Sequence, residues 1–309
     1  MTDRIICIAG PTASGKTALS VALAKALDGE IVSCDSMQVY RGMDVGTAKP
    51  TLAERQGVPH HLLDVADPAE PFSVGRYVEL ADAAVQDILR RGKIALVVGG
   101  TGLYMDSLIL GRQFAVPSTG QRARLERLAD ERGIGEVYAQ LQAADPVTAA
   151  RLHLSDRKRI IRAMEVFLET GTPISRHDAL SRQQPPRYDP LWLGIRFADR
   201  AVLYERIERR VDEMLRQGLL EELRALLRRG LDPGCTALQA IGYKELLPVV
   251  RGECDLASAV SLLKQSSRRY AKRQLTWFGR NERIRWLRAE EEILPQALEI
   301  IHASTDFDR

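Results

Sequence analysis

Cysteine, long apolar runs and low-complexity tracts are all scarce in this sequence of 309 residues. Cys7 and Cys34 fall in apolar, strand-like runs, while Cys235 and Cys254 are too far apart for a C-x-x-C pair and have no histidine pair beside them. Neither a disulfide framework nor a zinc site is expected, and all four thiols read as small buried hydrophobes in a reducing cytoplasm. No apolar stretch approaches the roughly 20 residues of a membrane-spanning helix, so no membrane partner is expected. Met1-Thr2-Asp3-Arg4 leads straight into a strand, so no signal peptide is expected either. Charge of one sign is also lacking in bulk, the net being +3, but its distribution is uneven. Hydrophobic content of 45% and charged content of 28% are ordinary for a soluble globular protein. The length suits one large or two modest domains.

The chain is organised around its first residues. Arg4 to Ala9 is an apolar run of strand length. It breaks into Gly10-Pro11-Thr12-Ala13-Ser14-Gly15-Lys16-Thr17, and Ala18 to Leu27 follows as a helix. Strand, G-x-x-x-x-G-K-T and helix together make a P-loop in its confirming context. Its glycines let backbone N–H groups converge into a nest, and the helix N-terminus adds partial positive charge. Lys16 supplies a mobile ammonium and the Thr17 hydroxyl a ligand for Mg²⁺. Alone, the loop suggests ATP or GTP.

Further apolar strands are expected at Glu30–Cys34, His60–Val65, Lys93–Val98 and Leu191–Phe197. Ser73 caps a helix running to Arg91, with Tyr77, Leu80, Ala84 and Ile88 at helical spacing. Strands that alternate with helices, and are apolar rather than alternating, predict an α/β fold with a P-loop-containing parallel sheet covered by helices. The region 115–186 reads as an all-helical insertion, with helices near 121–131, 134–142, 146–151 and 155–170 and a linker over 181–187. Residues 1–114 then form the first part of the core. Residues 187–309 supply a return strand and a helical C-terminal region, with helices near 199–216, 218–229, 242–251, 256–279 and 291–303.

Ligands of such sheets sit beyond the strands' carboxyl ends, where the P-loop, Asp35 and Thr101 should converge. For Asp35 three readings stand: a turn cap, a metal ligand or a general base facing the nucleophile. Thr101 reads as a helix N-cap and, compatibly, as an anion ligand. The strand at 94–98 ends in Gly99-Gly100-Thr101 without the acid that P-loop hydrolases usually carry there. Basic residues cluster at Arg157, Lys158, Arg159 and Arg162, again at Arg206, Arg209 and Arg210, and again at Lys264, Arg268, Arg269, Lys272 and Arg273 with Tyr270 and Trp277 among them. Acids gather elsewhere, at Glu221-Glu222 and Glu290-Glu291-Glu292. Any one cluster is an ordinary solvated face; three together favour a nucleic-acid surface. Without a duplex-reading motif, a folded RNA or single strand is favoured.

These motifs, with Gly46-Thr47-Ala48-Lys49-Pro50, Gly99 to Tyr104, Arg159-Ile160-Ile161-Arg162-Ala163, Ala240-Ile241-Gly242-Tyr243-Lys244-Glu245 and Lys272 to Phe278, resemble the tRNA dimethylallyltransferase family in its bacterial form. The resemblance runs along nearly the whole chain; the eukaryotic form's C-terminal zinc finger has no ligands here. It implies transfer of a dimethylallyl group from dimethylallyl diphosphate to the exocyclic amine of the adenosine 3′-adjacent to the anticodon of tRNA. On that resemblance Asp35 would hydrogen-bond the amine and act as base, and Thr101 would contact the bridging oxygen of the leaving diphosphate. Gly10 to Thr17 would bind the diphosphate with Mg²⁺. Asp35, Ser36, Met37 and Gln38, Arg159 to Ala163, Ala240 to Glu245, and Lys272 with Arg273 would touch the anticodon stem-loop. An arginine on the diphosphate is implied from the helix after the return strand, matched equally by Arg206 and Arg210. A monomer is expected. Rival readings are a prenyltransferase of free adenine nucleotides, a P-loop small-molecule kinase, and a non-catalytic, nucleotide-gated RNA-binding module.

Overall fold

The computed structural model describes residues 3–112, 120–183 and 185–304. The chain falls into two units: residues up to Gly111 with those from Arg187 onward, and Arg112–Pro186. A boundary at 114/115 lies outside the described residues.

The first unit is built on a six-stranded, wholly parallel sheet. Its strands are β1 (Asp3–Ala9), β2 (Gly29–Cys34), β3 (His60–His61), β4 (Ile94–Gly99), β5 (Tyr188–Arg196) and β6 (Arg285–Arg288), in the spatial order β3-β2-β4-β1-β5-β6. β1 shows why the strands are apolar throughout. Ile5, Cys7 and Ala9 join the core on one face of the sheet and Ile6 and Ile8 that on the other, and all five are fully buried. Burying each large aliphatic side chain stabilises the fold by roughly 1.5–3 kcal/mol.

One face is covered by α1 (Lys16–Ala26) and, at the far end of the chain, by a terminal helix over 293–302. After the short α2 (Leu52–Arg55), the other face receives α3 (Val74–Arg90) and α4 (Gly102–Ile109). The buried stripe of α3 is Tyr77, Ala81, Val85 and Ile88; Leu80 is 37% exposed and Ala84 only partly buried, which shifts the middle of the expected stripe by one position.

The second unit is all helical: α5 (Gln121–Arg132), α6 (Ile134–Ala144), α7 (Pro146–Ala149), α8 (Arg157–Thr170) and α9 (Ile174–Gln183), around Leu125, Val137, Leu141, Ile160 and Met164. α9 reaches into the stretch expected as linker. Its start is fixed from outside the helix, since the Ser175 N–H donates to the Asp145 carboxylate at 3.0 Å. After β5 the first unit resumes with α10 (Arg200–Arg216), α11 (Leu219–Arg228), α12 (Tyr243–Val250), α13 (Leu256–Phe278) and the terminal α14 (Ile293–His302).

Two strands depart from expectation. The run 60–65 contributes only two residues to the sheet, because Leu62 and Asp64 take φ of 64° and 59°, in the left-handed region that ends extended pairing. β6 has no sequence signal: it is four residues long and only Leu287 in it is buried.

Candidate active site

The loop after β1 turns by left-handed backbone at Ala13 (φ 62°) and Gly15 (φ 94°), and α1 begins at Lys16. A non-glycine residue in that region costs roughly 1–2 kcal/mol, which the convergent loop sustains at Ala13. Lys16 Nζ donates to the carbonyls of Gly10 at 2.9 Å and Pro11 at 2.6 Å. Burial and the Arg210 charge draw the Lys16 ammonium down to about 7, and Asp35 pulls the other way. The Ser14 hydroxyl is buried and has no hydrogen-bond partner among the described residues.

Beyond the sheet's carboxyl edge lies a cavity of about 910 Å³. Thr12 to Thr17 line it, with Asp35, Ser36, Met37, Gln38, Arg206, Arg210 and Arg273. Gly10 and Pro11 are buried beneath the loop. Arg206 Nε donates to the Ala13 carbonyl at 2.9 Å and its guanidinium stacks over Phe197, 5.6 Å from the ring centre. The Arg210 value is lowered, chiefly by burial and also by Arg206, with Asp35 and Glu54 opposing. The two arginines therefore differ: Arg206 braces the loop and Arg210 bears on the charge of Lys16.

Asp35 follows β2 and does cap a turn. Its Oδ1 accepts the N–H groups of Met37 at 2.8 Å and Gln38 at 3.3 Å, while Oδ2 has no hydrogen-bond partner among the described residues. Thr101 stands at the N-cap position of α4, and its carbonyl accepts the Tyr104 and Met105 N–H groups, but its side chain bonds no N–H of that helix. Its hydroxyl instead accepts the Ser36 N–H at 3.3 Å, and its own N–H donates to the Cys34 carbonyl at 3.3 Å. That corrects the capping reading and ties the ends of β2 and β4 together. Gly99 and Gly100 line the cavity; Thr101 does not. Tyr270 of α13 lines it, and burial and then the Asp35 charge raise the Tyr270 phenol, with the Thr101 side chain and Arg273 opposing.

Among the residues expected on RNA, Ala240, Ile241, Gly242 and Lys244 line the cavity. Tyr243 and Glu245 are buried in supporting positions instead: the Tyr243 hydroxyl donates to Glu222 at 2.6 Å, and Glu245 accepts the Gly242 N–H at 2.8 Å. Glu222 also receives the successive N–H groups of Asp44, Val45 and Gly46 at 2.8, 2.8 and 3.0 Å. Gln38 holds the same loop further on, donating to the carbonyls of Thr47 and Ala48 at 3.2 Å each.

In the helical unit, Ile160, Ile161 and Ala163 belong to the apolar core, so their side chains are not available to RNA. Arg159 is 72% exposed and Arg162 half-buried; Arg159 pairs with Asp156, just before α8, and Arg162 with Glu165 on the same helix. The basic stripe of α13 is also partly neutralised: Lys264 bonds Asp212 at 2.9 Å and Arg268 bonds Glu208, both on α10. Lys272 and Arg273 remain exposed.

Gln274 lies within the Lys272–Phe278 motif, but no role of its own is expected from sequence. It is 5% exposed, its Oε1 accepts the Thr12 N–H at 2.9 Å, and its Nε2 donates to the Gly100 carbonyl at 3.0 Å. The available signal is register: Gln274 shares the buried side of α13 with Leu263, Ala271 and Phe278. A polar residue there demands partners.

Among the described residues no group of three or more His, Cys, Asp or Glu side chains could hold a metal. Mg²⁺ needs no such cage when phosphates and water complete its shell. The Thr17 hydroxyl on the cavity and the unpartnered Ser14 hydroxyl suit that donor set.

The IPP transferase family model matches residues 38–282, and the isopentenyl transferase model matches residues 3–67. The chain is similar to the tRNA dimethylallyltransferase of Desulforudis audaxviator, with 49% identity covering 93% of this chain and 92% of that one. It is similar likewise to that of Geobacillus thermodenitrificans, with 50% identity covering 93% and 90%. Among solved structures it is similar to the tRNA delta(2)-isopentenylpyrophosphate transferase of Staphylococcus epidermidis, with TM-score 0.72, 40% identity and coverage of 98% of both chains. A eukaryotic dimethylallyltransferase acting on tRNA gives TM-score 0.84 at 30% identity, covering 99% of this chain and 79% of that one.

Proposed function

The chain belongs to the tRNA dimethylallyltransferase (IPP transferase) family and is a prenyl transferase acting on tRNA, and we propose that its cationic cavity holds dimethylallyl diphosphate while Asp35 faces the acceptor amine. The observation that carries this assignment is the meeting, in one cavity, of a phosphate-binding loop, Arg206, Arg210 and the carboxylate of Asp35, whose Oδ2 has no hydrogen-bond partner among the described residues. The product is isopentenyladenosine beside the anticodon, with release of diphosphate.

In the reaction the allylic C–O bond breaks and a C–N bond forms at the exocyclic amine. An aromatic amine is a poor nucleophile, and Asp35 accepts the proton that it loses, an effect typically worth about 10²–10⁴-fold. Negative charge grows on the departing diphosphate. Lys16, the N-terminus of α1, Arg206 and Arg210 stabilise it where it develops. Thr101 holds the Ser36 N–H and so steadies the turn that bears Asp35, and its hydroxyl would contact the bridging oxygen of the leaving diphosphate. Mg²⁺ held by Thr17 would supply further neutralisation of the phosphate oxygens.

The adenosine leaves its stack at a cost of a few kcal/mol, which contacts from Gln38, Lys244, Arg159, Lys272 and Arg273 would offset. The proposed setting is the cytoplasm. That is supported by the absence, among the described residues, of any helix long and apolar enough to cross a membrane. A monomer is proposed because one copy supplies every residue named. The relatives are named as tRNA-directed transferases, which favours tRNA over a free nucleotide and prenyl over phosphoryl transfer. Incubation with an unmodified anticodon stem-loop and dimethylallyl diphosphate should add one prenyl mass to the RNA. Prenylation of AMP alone, or transfer of a labelled γ-phosphate, would sink the assignment.

A further inference from the structure

We propose that Gln274 is a positioning residue of the transfer, a side-chain rung that fixes the diphosphate loop against the strand-end loop leading to Thr101. The inference rests on the reaction proposed above. β1 and β4 are paired up to Ala9 and Gly99. Beyond that register both chains turn into irregular loops, one the phosphate cradle and the other the approach to Thr101 and the Asp35 turn. The Gln274 carboxamide continues the pairing. It accepts the Thr12 N–H from the β1 side and donates to the Gly100 carbonyl on the β4 side, as a peptide group of an intervening strand would.

Three observations make this more than a satisfied buried amide. Gly100 is shaped to the contact, since a Cβ there would stand 2.0 Å from Gln274 Nε2. The Thr12 N–H is taken by Gln274, so this end of the cradle is held by a side chain of α13. Tyr270 and Arg273, one turn and one residue before Gln274, line the same cavity. The spacing of leaving group and acceptor therefore depends on how α13 is seated. Displacement of reacting groups by about 1 Å can cost 10²-fold in rate.

Single-turnover transfer with both substrates saturating, measured beside tRNA affinity by filter binding, tests the proposal. Gln274→Met keeps length and apolar packing but neither hydrogen bond. Its rate should fall by about 10–100-fold, with tRNA affinity held within about threefold. Gln274→Glu keeps an acceptor for Thr12 but sets a second acceptor against the Gly100 carbonyl. Its rate relative to wild type should climb as pH falls and the acid regains an O–H. Gly100→Ala forces the same contact apart, and a Gly100→Ala, Gln274→Ala double variant should be no slower than the slower single. Wild-type rates at saturation, a defect confined to KM, a Gln274→Glu ratio independent of pH, or multiplicative losses in the double variant would each overturn the proposal. If the wild-type chain transfers nothing, the reaction itself falls and this inference with it, so the two failures are told apart.

Discussion

Arg210 bears on the proton of Lys16. Burial first, and then the Arg210 charge, hold the Lys16 ammonium near 7 rather than at its ordinary 10.5. A diphosphate against Lys16 opposes both effects, so binding must raise that value and take up a proton. Below about pH 7 the ammonium is already charged and no uptake is needed; above it, affinity falls as pH rises. Calorimetry with inorganic diphosphate and Mg²⁺, run at about pH 8 in buffers of different ionisation enthalpy, should show roughly one proton more for wild type than for Lys16→Arg, whose guanidinium stays charged. Equal uptake by the two proteins would mean that Lys16 is charged before ligand arrives.

Asp35 offers a clean separation of structure from chemistry. Its Oδ1 closes the turn through Met37 and Gln38, and an asparagine Oδ1 can do the same. Asp35→Asn should therefore keep diphosphate and tRNA affinity within about threefold and lose about 10²–10⁴-fold in single-turnover transfer. Undiminished transfer would take Asp35 out of the proton path.

The sequence displays the cradle because a P-loop is local: Gly10 to Thr17 makes its own turn, and the strand before and helix after it are periodic signals. Asp35 is legible for the same reason, standing directly at a strand end. What stays hidden is settled by contacts distant in the chain. Glu222 looks like one of two acids on an exposed helix, yet it gathers three backbone N–H groups nearly 180 residues earlier. Ser175 starts α9 on a cap from Asp145, 30 residues away. Lys264 and Arg268 belong by spacing to a basic stripe, and only the packing of α10 on α13 shows that Asp212 and Glu208 answer them. β6 is too short and too exposed for its pattern to register.

Glu222 yields the next expectation. Its two oxygens accept four donors, three from the 44–46 backbone and one from Tyr243, so both must be acceptors. Glu222→Gln turns one of them into a donor facing donors. It should lower the free energy of unfolding by about 1–3 kcal/mol, and Tyr243→Phe, which removes a single hydroxyl, by about 0.5–1.5 kcal/mol. Urea denaturation checks both. A Glu222→Gln protein as stable as wild type would show that the nest is filled by water as readily as by the carboxylate.

The exposed and the paired cations should behave differently toward RNA. Arg159 pairs with Asp156 at the surface, where phosphate can displace the acid, and Arg273 lies over the Tyr270 ring at 5.5 Å on the cavity wall. Arg159→Ala and Arg273→Ala should each weaken tRNA binding and reduce the steepness of log K against log salt by roughly 0.7–0.9 per lost phosphate contact. Lys264 and Arg268 are engaged with Asp212 and Glu208 on α10. Their alanine variants should leave the salt slope alone and lower stability by about 0.2–1 kcal/mol. Filter binding of an anticodon stem-loop over a salt series separates the pairs. Should all four variants share one slope with wild type, the RNA is held by other groups; should the Lys264 and Arg268 variants flatten it as well, their ion pairs on α10 open when RNA arrives.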